Sequence, residues 1–280
     1  MVIKYYVPAL SLRPYIKLYT YYNIEEEKIS GPIKFLPMGS PYVVFNLKDS
    51  FSIYNSNLNM GLFRNGNLIV GQQESFYYLK PNGKLITLCV IFQPAGLYRL
   101  LHVPVHELIN YAYPAENFLK NKLIPLYDKI LSINQDPSEI VYYLDDFFIA
   151  ELAITNYRYE YIEHILDSIY NTKGLIPLRL LVEQANISGR TFRRRFLESV
   201  GISCKSYMCL RRMSHILNAV KHQQPLDINW SKIACSSGYY DQMHFIKAFR
   251  KFCGENPTGY ITRYHNPEHV IERYFLSASE

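Results

Sequence analysis

The chain has 280 residues, a formal net charge of +6 and an aromatic content of 15%. It contains no run of about 18 apolar residues and no apolar stretch of signal-peptide length near its N terminus, which argues against a membrane span and a secretory leader and predicts a cytoplasmic protein. The length suits two domains, each large enough to bury its own core.

Charge is distributed unevenly along the chain. Residues 1–154 carry 13 Lys and Arg against 13 Asp and Glu, whereas residues 155–280 carry 17 against 11. The excess of positive charge therefore lies in the C-terminal part, as expected when only one of two domains meets a polyanion. We place the domain boundary between these two ranges.

Strand signals dominate the first hundred residues. Residues 42–45, 68–70 and 85–92 are rich in β-branched and aromatic side chains. The dipeptides Asn65-Gly66 and Asn82-Gly83 separate such segments and are typical of hairpin turns. These patterns predict a small antiparallel β-sheet or barrel, and an α+β fold class for the whole chain.

Helical spacing follows the strands. Leu97, Leu100 and Leu101 predict a short helix, and longer helices are predicted near residues 124–133 and 138–153. The apolar faces of the two longer helices fit either a homodimer or an ordinary α+β core. The N-terminal part also holds aromatic residues that could line a pocket for a sugar or an aromatic ligand, although a tyrosine-lined core or surface is the favoured explanation in a chain with 26 tyrosines. They are Tyr42, Phe45, Tyr54, Phe76 and Tyr78.

Residues 176–201 form the first of two helix-turn-helix patterns. A short helix is predicted from Pro177 to about Asn186, and Ser188 is a suitable N-cap for the helix that follows. Gly201 is expected to end that second helix as a C-cap. The apolar stripe of the second helix falls at i, i+4 and i+8 and consists of Phe192, Phe196 and Val200.

Arginines crowd the first two turns of this second helix. Arg190, Arg193, Arg194 and Arg195 lie where the helix macrodipole is already positive, an arrangement that a polyanion would relieve. Arginine offers a planar fork to phosphates and to the O6/N7 edge of guanine. The alternative is a solvated basic face on an ordinary surface helix.

The second pattern follows Pro225. Asp241 is expected to cap its second helix after a turn at residues 236–239. The residues assigned to its first helix are Ile228, Ile233 and Ala234, and the buried stripe of its second helix is Phe245, Phe249 and Phe252. The outward positions of that second helix are polar, basic or flexible apolar residues, which suit base edges, thymine methyl groups and phosphates. They are Gln242, Met243, Ile246, Lys247 and Arg250.

A long amphipathic helix is predicted between the two patterns, from about Ser203 to Lys221. Its buried face is predicted to consist of Leu210, Met213, Leu217 and Val220. At 1.5 Å per residue it would span roughly 28 Å. A strut of that length could hold two recognition helices near the spacing of successive major grooves, about 34 Å.

The run GYYDQMHFIKAFRKFCGENPTGY at residues 238–260 resembles the signature of AraC/XylS-type transcription regulators. The first pattern fits the same family in register, so the resemblance covers roughly residues 161–264. It departs from the family at Arg195, where a hydrophobic residue is frequent, and at Cys253, where an aromatic one is. The resemblance implies two recognition helices, with base-facing positions at Arg190, Arg193 and Arg194 and at Gln242, Met243, Ile246 and Lys247.

The N-terminal part is similar to the sensor-type domain of many such regulators in three short motifs, at residues 35–37, 70–72 and 92–96. The resemblance implies a domain that binds a small effector or mediates dimerisation. Double-stranded DNA and RNA polymerase are then the expected partners, with a small-molecule effector and a homodimer left open.

Enzyme patterns are weak by comparison. His102 and His106 have the spacing of a helical metal pair, as do His265 and His269, but a proline between the members of each pair disfavours a continuous helix. The five cysteines lack metal-ligand spacing and are expected to be buried, reduced thiols. We therefore expect no enzyme activity, no metal and no cofactor. The sequence predicts a sequence-specific DNA-binding regulator, the alternative being a nonspecific basic nucleic-acid-binding or protein-interaction module without effector response.

Overall fold

A computed structural model describes residues 1–29, 31–55, 58–63, 66–120, 122–133, 136–155 and 160–265. In this part of the chain an antiparallel β-sandwich with four helices precedes seven further helices, which confirms the α+β class. The strands are β1 (Val2–Tyr6), β2 (Ile16–Ile24), β3 (Ile33–Phe35), β4 (Tyr42–Asn46), β5 (Phe51–Asn55), β6 (Leu58–Phe63), β7 (Gly66–Val70), β8 (Tyr77–Pro81), β9 (Leu85–Phe92) and β10 (Ala112–Pro114).

The strands form two sheets in which neighbouring strands are antiparallel. A six-stranded sheet has the order β1-β2-β9-β4-β7-β10, and a four-stranded sheet has the order β3-β8-β5-β6. The three predicted strands correspond to β4, β7 and β9. Gly83 lies between β8 and β9 with a φ of +147°. These two strands belong to different sheets, so Asn82-Gly83 connects the two sheets and the hairpin predicted there is wrong. Asn65 of the other predicted turn lies outside the described residues.

The six-stranded sheet is buried on both faces. Along β4, Tyr42 and Val44 pack into the cluster between the two sheets, whereas Val43 and Phe45 pack against the helices on the other side. This alternation follows from the two-residue period of a strand. Burial on both sides explains why these strands are continuous apolar runs rather than alternating ones.

Four helices cover the outer face of this sheet. They are α1 (Gly96–Leu101), α2 (Glu116–Leu119), α3 (Ile124–Ser132) and α4 (Pro137–Ile154), and a 3-10 turn at Val105–Leu108 follows α1. The helices predicted near 97–101, 124–133 and 138–153 are confirmed. Asp145 of α4 fixes that helix to the sheet, because its carboxylate accepts hydrogen bonds from the Tyr19 hydroxyl at 2.8 Å and from the Ala9 amide at 3.2 Å.

Seven helices make up the C-terminal part. They are α5 (Glu160–Asn171), α6 (Leu178–Ala185), α7 (Gly189–Val200), α8 (Cys204–Val220), α9 (Trp230–Ser236), α10 (Gln242–Cys253) and α11 (Pro257–His265). Both predicted helix-turn-helix patterns and the long connecting helix are present. The first helix of the second pattern differs from the prediction in one respect. It begins at Trp230 because the Asn229 side chain caps it by accepting from the Lys232 amide, so Ile228 lies before the helix in extended backbone.

Candidate DNA-binding surface

The first recognition helix, α7, is fixed at both ends and along one side. The Ser188 hydroxyl accepts from the Thr191 amide at 3.2 Å and caps the N terminus. Gly201 ends the helix with a φ of +91°, a conformation that glycine adopts without steric cost. The predicted stripe of Phe192, Phe196 and Val200 is fully buried. The opposite side of the helix is therefore held towards solvent.

The arginines of α7 lie on that solvent side. Arg190, Arg193 and Arg194 are exposed, whereas Arg195 is half-buried. Arg194 forms a surface ion pair with Glu198, one turn further on, at 3.2 Å. The first turn of α7 contains no acidic residue. Three guanidinium groups are thus presented around the positive end of the helix dipole, where an anion is favoured.

The second recognition helix, α10, repeats this construction. The Asp241 carboxylate accepts from the His244 amide at 2.7 Å and caps the helix, and Gly254 ends it with a φ of +81°. Phe245 and Phe249 are fully buried, and Phe252 nearly so. Both recognition helices pack with α8 into one apolar core.

The outward residues of α10 are only partly as predicted. Gln242, Lys247 and Arg250 are exposed, and Met243 is 79% exposed. Ile246 is half-buried and packs against the shared core. Ile246 thus has less surface to offer a ligand than the other four.

Two features of this surface carry no clear sequence signal. The Ser231 hydroxyl of α9 donates to Oε1 of Gln242 at 3.0 Å, which orients the carboxamide and directs its NH2 group away from α9. Tyr240, immediately before the cap, is 92% exposed. A large aromatic side chain so fully solvated beside a helix N terminus is available to contact a sugar, a base or a phosphate.

Two domain families match this architecture. A family described as a helix-turn-helix domain matches residues 181–263, and a domain of unknown function (DUF6597) matches residues 4–114. The first range begins in α6, ends in α11 and contains both recognition helices. The chain carries an AraC-type helix-turn-helix domain. The resemblance inferred from residues 238–260 is confirmed, and the chain is a DNA-binding transcription regulator.

Solved structures of ToxT from Vibrio cholerae also match. One is 11% identical and covers 95% of this chain and 100% of that chain, with a TM-score of 0.45. Another, with unsaturated fatty acid bound to ToxT, is 14% identical and covers 87% and 94%, with a TM-score of 0.43. Scores below 0.5 mark only a distant likeness between the folds. No curated protein matches significantly.

The domain that precedes the AraC-type domain contains an apolar cavity of about 40 Å³ between its two sheets. Phe35, Tyr42 and Tyr77 are among the residues that line it. The predicted aromatic pocket is therefore wrong in four of its five residues. Phe45 packs on the opposite face of its sheet, and Tyr54, Phe76 and Tyr78 contact one another away from the cavity.

The remaining candidate groups serve structural ends. Cys204 and Cys253 are buried, but Cys209 and Cys235 are exposed, so the expectation of buried thiols is wrong for these two. Burial raises the pKa of Cys204 to about 12, which keeps that thiol protonated.

His102 ends α1 and contacts the Thr155 hydroxyl at 2.9 Å, while His269 lies outside the described residues. Among the described residues, no helix combines the length and apolar character that crossing a membrane requires.

Proposed function

We propose that this regulator binds promoter DNA sequence-specifically, with α7 and α10 in two adjacent major-groove segments on one face of the duplex. The observation that carries the proposal is that two capped helices, packed on one core, both turn basic and polar side chains outward from their N-terminal halves. Helix-turn-helix proteins present this end of the recognition helix to base edges.

The first unit is assigned to guanine and phosphate recognition. Arg190, Arg193 and Arg194 are exposed on successive turns of α7. A guanidinium group pairs bidentately with O6 and N7 of guanine, and such a pair discriminates against a wrong base by about 1 to 3 kcal/mol. Arg194 is the most suitable of the three for a phosphate, because its ion pair with Glu198 already restricts the orientation of its guanidinium group.

The second unit is assigned to a mixed site. Oε1 of Gln242 already accepts from Ser231, so its NH2 group is directed to acceptor atoms such as N7 of adenine. The exposed thioether of Met243 suits a thymine methyl group, while Lys247 and Arg250 suit phosphates. Ile246 contributes the part of its side chain that the core leaves open.

The N-terminal part, residues 1–154 by our assignment, is proposed to sense a small effector and to pair two copies of the chain. The cavity between the sheets is the candidate effector site, and its apolar walls favour an apolar ligand. The exposed apolar side chains Tyr142 and Ile149 of α4 are the candidate dimer contacts. RNA polymerase is the expected protein partner at the promoter.

Selection of randomised duplex DNA on the full chain, repeated over a salt series, tests the DNA-binding proposal. Two enriched clusters about one helical turn apart support it. Binding that falls with salt but enriches no sequence would indicate a nonspecific basic domain, and a folded chain that does not bind at low salt would indicate a protein-interaction module. The matched control is a double variant, Arg193→Ala with Gln242→Ala, which removes one proposed base contact from each unit and should lose the enriched clusters and still fold.

A further inference from the structure

The N-terminal domain contacts the C-terminal end of each recognition helix. At the end of α7, a Cβ atom added to Gly201 would lie 2.7 Å from Cγ1 of Val105 and 3.0 Å from its carbonyl oxygen. At the end of α10, a Cβ atom added to Gly254 would lie 2.6 Å from the ring of Phe76. The C-terminal ends of α7 and α10, which lie away from the proposed DNA contacts, therefore pack against the N-terminal domain.

The contact at α10 includes a partly buried cluster of charges. Nζ of Lys34, in β3, lies 2.8 Å from a carboxylate oxygen of Glu255, the residue that follows Gly254. The Arg263 guanidinium of α11 lies 2.8 Å from the same oxygen. Lys34 is only 7% exposed, and its Nζ lies 4.9 Å from the centre of the Phe76 ring. Loss of Lys34 or Glu255 from such a cluster changes the balance of charge at a site that water reaches only in part.

The strand pair that carries Lys34 is also a wall of the cavity. In the ladder between β3 and β8, Lys34 pairs with Tyr78 and Phe35 pairs with Tyr77. Phe35 and Tyr77 line the cavity and stack with ring centroids 5.1 Å apart. Because successive side chains of a strand point to opposite faces, the cavity wall and the charge cluster belong to two faces of one strand pair.

The cavity is small relative to any organic ligand. Its volume of about 40 Å³ is well below the roughly 150 Å³ of a protein cavity that holds benzene. A larger molecule can enter only if the walls move, and close-packed interiors transmit such displacements. Movement of Phe35 displaces the backbone of β3, and Lys34 is the next residue along it.

We propose that Lys34 is a positioning residue that couples the cavity wall of the N-terminal domain to the setting of the second recognition helix. The proposal rests on the DNA-binding function proposed above. When the wall moves, the distance between Lys34 and Glu255 changes, and the position of α10 relative to α7 changes with it. The base pairs read by α10 are then affected more than those read by α7, whose end rests on Val105 instead.

The test uses the full chain with the charge removed at constant side-chain length, Lys34→Met. Affinity is measured for the selected duplex and for two derivatives, each with one of the two clusters scrambled. Selectivity for a cluster is the ratio of the affinity for the selected duplex to the affinity for the duplex with that cluster scrambled. We expect the selectivity for the base pairs read by α10, the α10 cluster, to change about fivefold or more, which is the lower end of typical coupling between sites. The selectivity for the α7 cluster, the base pairs read by α7, should stay the same. Glu255→Gln should act in the same direction, and the double variant should add little.

Two matched controls distinguish coupling from general damage. Lys84→Met removes a lysine that pairs with Glu25 in the N-terminal domain, at a partly exposed site, and should change neither cluster. Phe35→Leu alters the cavity wall and should shift the α10 cluster, whereas Phe45→Leu alters the other face of the six-stranded sheet and should not.

The outcomes separate cleanly. No change in Lys34→Met, or equal changes at both clusters, overturns the coupling while the DNA-binding proposal stands. A wild-type chain that selects no sequence overturns both. A change confined to the α10 cluster in Lys34→Met and Phe35→Leu, and absent from the two controls, supports the coupling.

Discussion

The guanidinium of Arg212 donates a 3.0 Å hydrogen bond to the carbonyl oxygen of Gly174. Gly174 lies in the turn before the first helix-turn-helix unit, and Arg212 belongs to the connecting helix α8. The same guanidinium makes a longer hydrogen bond, 3.4 Å, to the carbonyl oxygen of Gly238, in the turn of the second unit. One side chain of the connecting helix therefore bridges the turn that precedes the first unit and the turn of the second unit.

Replacement of Arg212 should loosen the spacing between the two DNA clusters. Arg212→Met keeps the apolar stem but removes both hydrogen bonds, which should cost about 1 to 3 kcal/mol of unfolding free energy. The wild-type chain should lose affinity sharply when one or two base pairs are inserted between the clusters, and the variant should lose less. Binding assays on the spacer series check this. Equal spacer dependence in the two proteins would contradict the role assigned to Arg212.

Replacement of Arg193 by Ala should relax the specificity of the first unit. Arg193 is exposed on α7 and has no assigned role in the packing, so the fold should be retained. If it reads a guanine, affinity falls by about 1 to 3 kcal/mol for that base pair alone. A uniform loss on all sequences, together with a shallower salt dependence, would mark it as a phosphate contact. Affinities over single-base substitutions of the operator distinguish the two.

A thymine methyl group should be the feature that Met243 reads. Deoxyuridine differs from thymidine by that methyl group alone, so replacing one thymidine at a time in the α10 cluster isolates the contact. One replacement should weaken wild-type binding by about 1 kcal/mol, the transfer free energy of roughly one methyl or methylene group. Met243→Ala should bind the two duplexes equally. A loss that persists in Met243→Ala would assign the methyl to another side chain, for which the exposed ring of Tyr240 is the candidate.

Local spacing explains why the recognition helices could be predicted from sequence. Caps at Ser188 and Asp241 and phenylalanines at i and i+4 are properties of a few consecutive residues, and the structure places them as expected. The start of α9 was displaced by two residues because the capping side chain of Asn229 outweighed the apolar character of Ile228.

Long-range features could not be predicted in this way. Tyr42 and Phe45 lie in one strand that is buried on both faces, so nothing in its sequence says which side chain faces the cavity. The pairing of Lys34 with Glu255 joins residues 221 positions apart, and no sequence pattern near either residue predicts it. Such contacts are set by how the two domains pack, which only the structure shows.

The charge cluster at Glu255 should make stability depend on pH. Burial alone would raise the pKa of this carboxyl group, but hydrogen bonds from Arg263 and Lys34 outweigh it and hold the pKa below its ordinary value. A carboxyl group with a lowered pKa stabilises the folded state above its unfolded pKa, about 4.3, and loses that contribution as the pH falls through the folded value. Glu255→Gln should therefore be less stable than the wild type near pH 7.

The difference between Glu255→Gln and the wild type should be constant from about pH 6 to pH 8 and shrink below about pH 5. Unfolding free energies measured by denaturant titration across this range check the sign. Glu198, which pairs with the exposed Arg194, is replaced by Gln as a control, because a surface ion pair contributes about 0 to 1 kcal/mol. A difference that grows on acidification would contradict the assigned direction of the pKa.

Two glycines of α7 should respond in opposite ways to replacement by alanine. Gly201 has a φ of +91° and lies against Val105, so Gly201→Ala combines backbone strain with a clash against another domain. The left-handed conformation alone costs about 1 to 2 kcal/mol for a residue with a Cβ atom. Gly189 lies in the first turn, where an added Cβ atom meets nothing closer than 3.9 Å. Gly189→Ala should therefore leave stability unchanged or raise it by up to about 1 kcal/mol.

Thermal or denaturant unfolding of both variants of the full chain measures this difference. Combining Gly201→Ala with Val105→Ala isolates the side-chain part of the clash, because it removes the Cγ1 contact but leaves the carbonyl contact and the strained φ in place. Gly201→Ala should therefore lower the unfolding free energy less in the Val105→Ala background than in the wild type. Full additivity of the two substitutions would show that the Val105 side chain does not press on the end of α7, and the contact with the first recognition helix would then rest on the Val105 backbone.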